Sequence, residues 1–185
     1  HGRQRVHAEV ASDHDRIGMA PPARFDAAAL AEAMRRQLFT VPFENLDVQA
    51  GREISLEPTA IVDKILERGR GGYCYEVNGL FALALTALGV AHRFVAARPM
   101  FYPVRRPRTH MAIVATLDGV DFLCDLGFGS WGIRTPMRLD VLDRAVEADG
   151  EHFRLRREAD GVYVVSALIE GAWAHQYGFD LSPQE

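Results

Sequence analysis

The sequence predicts an α+β fold in which helices come first and an antiparallel sheet follows. Three observations predict it. Apolar residues recur at helical spacing up to Gly89 and at strand-like spacing after Arg93. The second half carries Asp-Gly pairs, one of them set between two apolar, β-branched runs, which is a tight-hairpin signal. Helical and strand-like stretches do not alternate, which argues against a repeating βαβ arrangement.

The elements follow in order. Asp26 is placed to cap a first helix bearing Leu30, Met34 and Leu38. Pro58 sits at the start of a second helix bearing Ile61, Ile65 and Leu66. A third helix opens at Cys74, carries Leu80, Leu83, Ala87 and Leu88, and is stopped by Gly89. Glu76 falls in its first turn, where an acid helps to cap. Strands are expected over Phe94 to Ala97, Met111 to Leu117 and Val120 to Cys124, with sheet again from Val162 to Phe179. A further hairpin is expected around Asp160-Gly161. The pattern divides into a helical lobe over 1–90 and a sheet or barrel lobe over 91–185, with Cys74 at the junction. No internal repeat or low-complexity segment interrupts it.

Composition narrows the function classes. The 185 residues suffice for one domain or two small lobes around a core. A net charge of -4 argues against nucleic acid or an anionic membrane as the main partner. No apolar run approaches the ~20 residues of a membrane span, and no charged-then-apolar leader is visible. Two cysteines, Cys74 and Cys124, argue against a disulfide framework, and a cytoplasmic, reducing location suits a working thiol. Cys124 reads as a small core residue. A zinc site built from Cys74, Cys124, His92 and His110 lacks the paired spacing such sites show.

The most informative stretch runs from Arg70 to Phe81. Two glycines lead directly into Tyr73 and Cys74, and Cys74 begins an apolar helix. A thiol in the first helical turn sits at the positive end of the backbone dipole, which favours thiolate, the nucleophilic form. A lone buried cysteine is the plainer alternative for such a residue. The positions of His110 and Asp125 tip the balance. A two-residue loop at Asp118-Gly119 sets Leu117 opposite Val120 and therefore Ala112 opposite Asp125 and His110 opposite Gly127. Asp125 then shares a face with His110 one diagonal step away, roughly 7–8 Å along the backbone and within reach of an imidazole. Read separately, His110 is a structural histidine and Asp125 a strand-end turn residue. Read together with Cys74, they form a nucleophile, a base and an orienting acid in the chain order of papain-like folds.

These segments resemble the arylamine N-acetyltransferase family. The resemblance rests on Val41-Pro42-Phe43-Glu44-Asn45-Leu46, on Arg70-Gly71-Gly72-Tyr73-Cys74-Tyr75-Glu76-Val77-Asn78, on Arg108-Thr109-His110, on Asp125-Leu126-Gly127-Phe128-Gly129 and on Trp173 to Asp180. It runs from about Asp15 to Asp180. It implies a papain-like Cys-His-Asp fold with Cys74, His110 and Asp125 catalytic. It also implies acetyl-CoA as co-substrate with no permanently bound cofactor, and a small aromatic amine or hydrazine as acceptor. Phe43 reads as core from the pattern and as a pocket wall from the resemblance; Thr109, Gly127, Phe128 and Gly129 are the other implied substrate contacts. Two departures accompany it. The family continues into a further C-terminal segment, absent from this chain, which ends at Glu185. Ala11 to Asp15, ahead of Arg16-Ile17-Gly18, also lack the family's aromatic opening.

The expected activity is acyl transfer through a Cys74 thioester. An amide synthase of the same family, fed by an acyl carrier protein and closing a macrolactam, is the nearest alternative. Arg105, Arg106 and Arg108 precede His110 in a basic loop that suits CoA phosphates or such an acidic carrier. A papain- or transglutaminase-like hydrolase and a non-enzymatic binding module are the remaining alternatives.

Overall fold

The computed structural model describes residues 16–20 and 22–182. Ala11 to Asp15 and Glu185 lie outside the described residues.

The first long helix, α1, is Ala27–Thr40. Asp26 is extended at its start, and its carboxylate accepts from the Ala28 and Ala29 N–H groups at 3.1 and 3.0 Å. Leu30, Ala33, Met34 and Gln37 recur one helical turn apart and form its buried stripe. A single turn, α2, follows at Leu46–Gln49. The helix expected from Pro58 begins there as α3, Pro58–Val62, but continues as a wider π turn over Asp63–Glu67. Plain α-helix was the expectation. The wider turn brings Lys64 and Ile65 inward together, and Lys64 finds acidic partners there. Helix α4, Cys74–Ala87, starts at the expected cysteine and runs into Gly89, which takes a left-handed φ of 70°. Cys74, Val77, Leu80, Phe81, Ala84 and Leu85 are buried, and so are Glu76 and Asn78. Covered on most sides, α4 is the central helix.

The strands are β1 Ala91–Pro99, β2 His110–Leu117, β3 Val120–Cys124, β4 Met137–Arg138, β5 Ala145–Ala148, β6 Glu151–Arg157, β7 Tyr163–Ile169 and β8 Ala172–Phe179. They form one eight-stranded sheet in the order β4-β3-β2-β1-β8-β7-β6-β5, with every pairing antiparallel. Strand β1 is longer than Phe94 to Ala97 because His92 and Arg93, which break the apolar run, still pair with Ala115 and Val114. The β2–β3 register is the expected one, with Leu117 opposite Val120 and Ile113 opposite Cys124. Asp118 and Gly119 take φ values of 49° and 77°, the left-handed pair that a two-residue hairpin needs to follow the strand twist. Asp149-Gly150 and Glu170-Gly171 make the same turn between β5 and β6 and between β7 and β8. Asp160-Gly161 lies in a wider loop that joins β6 to β7.

The core is continuous between the helices and the sheet. Leu30, Met34, Phe81, Leu85, Ile113, Leu123, Phe153, Leu155, Tyr177 and Phe179 are all fully buried. Each such aliphatic or phenylalanine side chain contributes about 1.5–3 kcal/mol relative to exposure. This packing holds α4, which begins at Cys74, against β2, which begins at His110.

Candidate active site

Two of the sequence segments, 41–46 and 70–78, are one structural unit. Phe43 pairs with Gly72 in a parallel bridge; Gly72 N–H donates to Pro42 O at 3.2 Å and Glu44 N–H donates to Gly72 O at 2.9 Å. A Cβ on Gly71 would stand 1.9 Å from Pro42 O, so only glycine passes there. The Arg70 guanidinium binds Glu44 at 2.7 Å and Asp47 at 3.0 Å. Lys64 lies under the same cluster, 2.7 Å from Glu76 and 2.9 Å from Asp47. The hydrogen bonds from Lys64 and Arg70 hold the Asp47 carboxyl down to about 2. Burial pushes the Lys64 ammonium down, but its bonds to Glu76 and Asp47 outweigh this and raise it. Glu76 caps α4 as expected, accepting from Tyr73 N–H at 3.1 Å, and also pairs with Lys64. The approach to Cys74 is thus held by ionic and backbone bonds together.

Cys74, His110 and Asp125 come together. Cys74 is 7% exposed at the start of α4, His110 is 5% exposed at the start of β2, and Asp125 is 1% exposed just after β3. The His110 Nε2–Asp125 Oδ2 distance is 2.7 Å. An ionised carboxylate can only accept, so Nε2 carries the proton in this bond. That leaves Nδ1 as the ring nitrogen not engaged by Asp125, with Cys74 near enough for its charge to act on the ring. Burial alone would lower the imidazole. The Asp125 charge, the Asp125 hydrogen bond and Cys74 outweigh it, and His110 is raised to about 9. Burial likewise pushes Asp125 up; the His110 charge and bond, Gly127 N–H at 3.0 Å and Asn78 at 3.2 Å outweigh it and lower the carboxyl. The ring is boxed by aromatic neighbours, with the Phe128 and Tyr177 centroids 5.1 and 5.2 Å from its own.

The implied substrate contacts separate. Phe43 is 45% exposed, not core, and its ring packs against Gly129. Phe128 is half-buried beside His110, and Thr109 is exposed just ahead of it. Gly127 is buried, and a Cβ there would stand 2.5 Å from Cys74 Cα. Its lack of a side chain lets this loop pack directly against the start of α4. A cavity of about 230 Å³ adjoins this loop, lined by Phe43, Asp125, Gly129, Ser130 and Arg134 among others. A larger one of about 360 Å³ lies under the basic loop, with Arg98, Met100, Tyr102, Arg105 and Arg108 in its wall. In that loop Arg108 is tied to Asp180, and Arg106 sits 4.8 Å over the Tyr102 ring. Cys124 is fully buried, and burial pushes its thiol well above the ordinary range. Among the described residues, no cluster of three or more His, Cys, Asp or Glu side chains is arranged to hold a metal, and no helix is long and apolar enough to cross a membrane.

The chain is similar to known proteins in both sequence and fold. A family model described as N-acetyltransferase matches residues 26–185. The chain belongs to the arylamine N-acetyltransferase family. It is 35% identical over 150 residues to the arylamine N-acetyltransferase / N-hydroxyarylamine O-acetyltransferase of Salmonella typhimurium, covering 78% of this chain and 52% of that one. With the arylamine N-acetyltransferase of Mycobacterium tuberculosis it shares 38% over 149 residues, 76% of this chain and 51% of that one. The solved Salmonella typhimurium arylamine N-acetyltransferase superposes with a TM-score of 0.90 at 30% identity, over 96% of this chain and 65% of that one. The Mycobacterium marinum arylamine N-acetyltransferase in complex with CoA superposes with a TM-score of 0.87 at 29% identity, over 95% and 66%. The chain spans about half the length of the curated relatives it matches.

Several residues around the site carry no individual signal in the sequence. Asn78, one helical turn after Cys74, bonds to β2 at Met111 and to the loop after β3 at Leu126. Its position four residues on, on the same face, was the available clue. Tyr177 is fully buried next to Asp125; burial and then that charge push its phenol well up. Phe101, half-exposed, packs edge-on against Phe128 at 5.8 Å, and nothing in its loop's sequence announces this.

Proposed function

We propose that the chain carries the nucleophile of an acyltransferase that moves an acetyl or acyl group from a CoA thioester to an aromatic amine or hydrazine. The supporting observation is the buried His110–Asp125 pair at 2.7 Å against the first residue of α4. The Cys74 thiolate attacks the thioester carbonyl, and the tetrahedral adduct expels the CoA thiolate, which takes a proton from His110. The amine then attacks the Cys74 thioester, His110 takes its proton, and the Cys74 thiolate leaves. Asp125 orients the imidazole and stabilises its charged form. Phe43 and Gly129 line the cavity that reaches Asp125, and Phe128 packs beside His110 with Phe101 against it, aromatic surfaces that suit a flat acceptor; Thr109 and Gly127 are the further candidate contacts.

In this reading the fold is papain-like, with a helical lobe over 1–90, a sheet lobe over 91–185 and a cytoplasmic setting. The co-substrate is acetyl-CoA, and no cofactor is permanently bound. Arg105 has no acidic side-chain partner among the described residues. A cation so placed can meet the phosphates of CoA or the acidic surface of an acyl carrier protein; the carrier as donor, with amide synthesis as the outcome, is the second reading.

Incubation with acetyl-CoA and 4-aminobenzoate tests the assignment. N-acetyl product that disappears in Cys74→Ala supports it. Acylation by carrier-bound thioesters alone transfers the assignment to the amide synthase. Cleavage of peptide amides without acyl transfer overturns both.

A further inference from the structure

Asn78 is 0% exposed, and each polar atom of its side chain is engaged. Nδ2 donates to Met111 O at 2.7 Å and to Asp125 Oδ1 at 3.2 Å, while Oδ1 accepts from Leu126 N–H at 2.9 Å. The orientation of the amide is unambiguous. Turned over, its oxygen would face a carbonyl and a carboxylate, and its NH₂ would face an N–H. One side chain on α4 therefore reaches the residue after His110 on β2, and both Asp125 and the residue that follows it.

The consequence falls on the Asp125 carboxylate. Oδ1 accepts from Gly127 N–H at 3.0 Å and from Asn78, and Oδ2 accepts from His110 Nε2 at 2.7 Å. With Oδ1 held by two donors, the carboxylate cannot swing Oδ1 towards the ring or turn away from it. The bonds to Met111 and Leu126 are enough to join helix to strands. The bond to Asp125 is the one that bears on the reacting groups.

We propose that Asn78 is a positioning residue that fixes the rotation of the Asp125 carboxylate, so that Oδ2 alone meets His110 while Cys74 is held in register one helical turn away. The proposal rests on reading Cys74, His110 and Asp125 as the reacting groups. It predicts that Asn78 acts through Asp125 and not through general stability.

The test is a double-mutant cycle on the rate of Cys74 carboxymethylation by iodoacetamide near neutral pH, which needs no acyl donor. Cys124, fully buried, serves in the same peptide map as an internal reporter of unfolding. The variants are Asn78→Ser, Asn78→Leu (about the same size, without the donors), Asp125→Asn and the doubles. Each single should slow Cys74 about tenfold or more, as loss of an orienting partner does in other sites. In the Asp125→Asn background either Asn78 change should matter less than about twofold, because coupled residues are not additive. NMR titration of His110 should show its midpoint falling in Asn78→Ser by roughly a unit, because a carboxylate that turns from the ring supports the ring's charge less. Multiplying effects, an unmoved His110 midpoint, or Asn78 variants at the wild-type rate while Asp125→Asn is slow, overturns the role of Asn78 alone. A wild-type rate in Asp125→Asn overturns the three-residue reading and this proposal with it.

Discussion

The backbone of Gly127 lies directly against Cys74: a Cβ at 127 would stand 2.5 Å from Cys74 Cα and 3.0 Å from its Cβ. The end of the Asp125 strand and the start of the nucleophile helix are therefore in van der Waals contact with no room for a methyl group. Gly127→Ala should destabilise the protein by about 1–3 kcal/mol, the usual cost of overpacking. It should also slow Cys74 alkylation at least severalfold, because relief requires moving α4 or the Asp125 loop. Denaturant titration and thiol labelling check the two effects; a wild-type labelling rate would show that the contact yields without consequence.

The His110–Asp125 pair should leave a signature in stability against pH. His110 rises from an ordinary 6.5 to about 9 in the folded state. A raised pKa means that the charged ring stabilises the fold fully below pH 6.5, and that this stabilisation is lost as pH rises through 9. Asp125 is lowered, so its contribution is present above the ordinary carboxylate range and is lost as pH falls through its folded value. The melting temperature should therefore decline from pH 6.5 to 9, by an amount equivalent to on the order of 2–3 kcal/mol. His110→Asn should flatten that decline. A slope identical in the variant would assign the pH dependence to other groups.

Lys64 is the cation between a buried acid, Glu76, and a half-buried one, Asp47. Its side chain is 7% exposed, and those of Glu76 and Asp47 are 3% and 14% exposed. Lys64→Met leaves Glu76 unpaired and should cost about 3–5 kcal/mol. Lys64→Met/Glu76→Gln should recover part of that loss, because glutamine carries no charge yet can still accept from Tyr73 N–H. Equilibrium unfolding of the two proteins measures this. A double variant no more stable than the single would mean that charge is not what Lys64 supplies.

Much of this arrangement was legible in the sequence because it depends on short-range chemistry. The two-residue turn at Asp118-Gly119 fixes the β2–β3 register, and with it the meeting of His110 and Asp125. The start of α4 at Cys74 follows from glycines ahead of an apolar helical run. The Asp149-Gly150 turn carried the same signal as Asp118-Gly119, but its flanks, Glu147 and Glu151, are too polar to read as apolar strands. Glu170-Gly171 lacks the usual Asn or Asp, so a left-handed glutamate had to be seen to be known. The π turn at Lys64 and the bonds of Asn78 depend on partners distant in sequence, Asp47 and Glu76 for one and Met111, Asp125 and Leu126 for the other. Spacing along a single segment does not carry such information. Phe43 was ambiguous for the same reason: an aromatic after Val41-Pro42 reads as core until the strand-end loop that it covers, at Gly129, is in place.

The central claim is that Cys74 is the residue that accepts the acyl group. It is tested most directly by intact-mass analysis and peptide mapping after exposure to acetyl-CoA without an amine. The account predicts one acetyl group, on Cys74 and not on Cys124, discharged on addition of an aromatic amine or hydrazine and absent from Cys74→Ala. Acetylation that maps elsewhere, or that persists in Cys74→Ala, would contradict it.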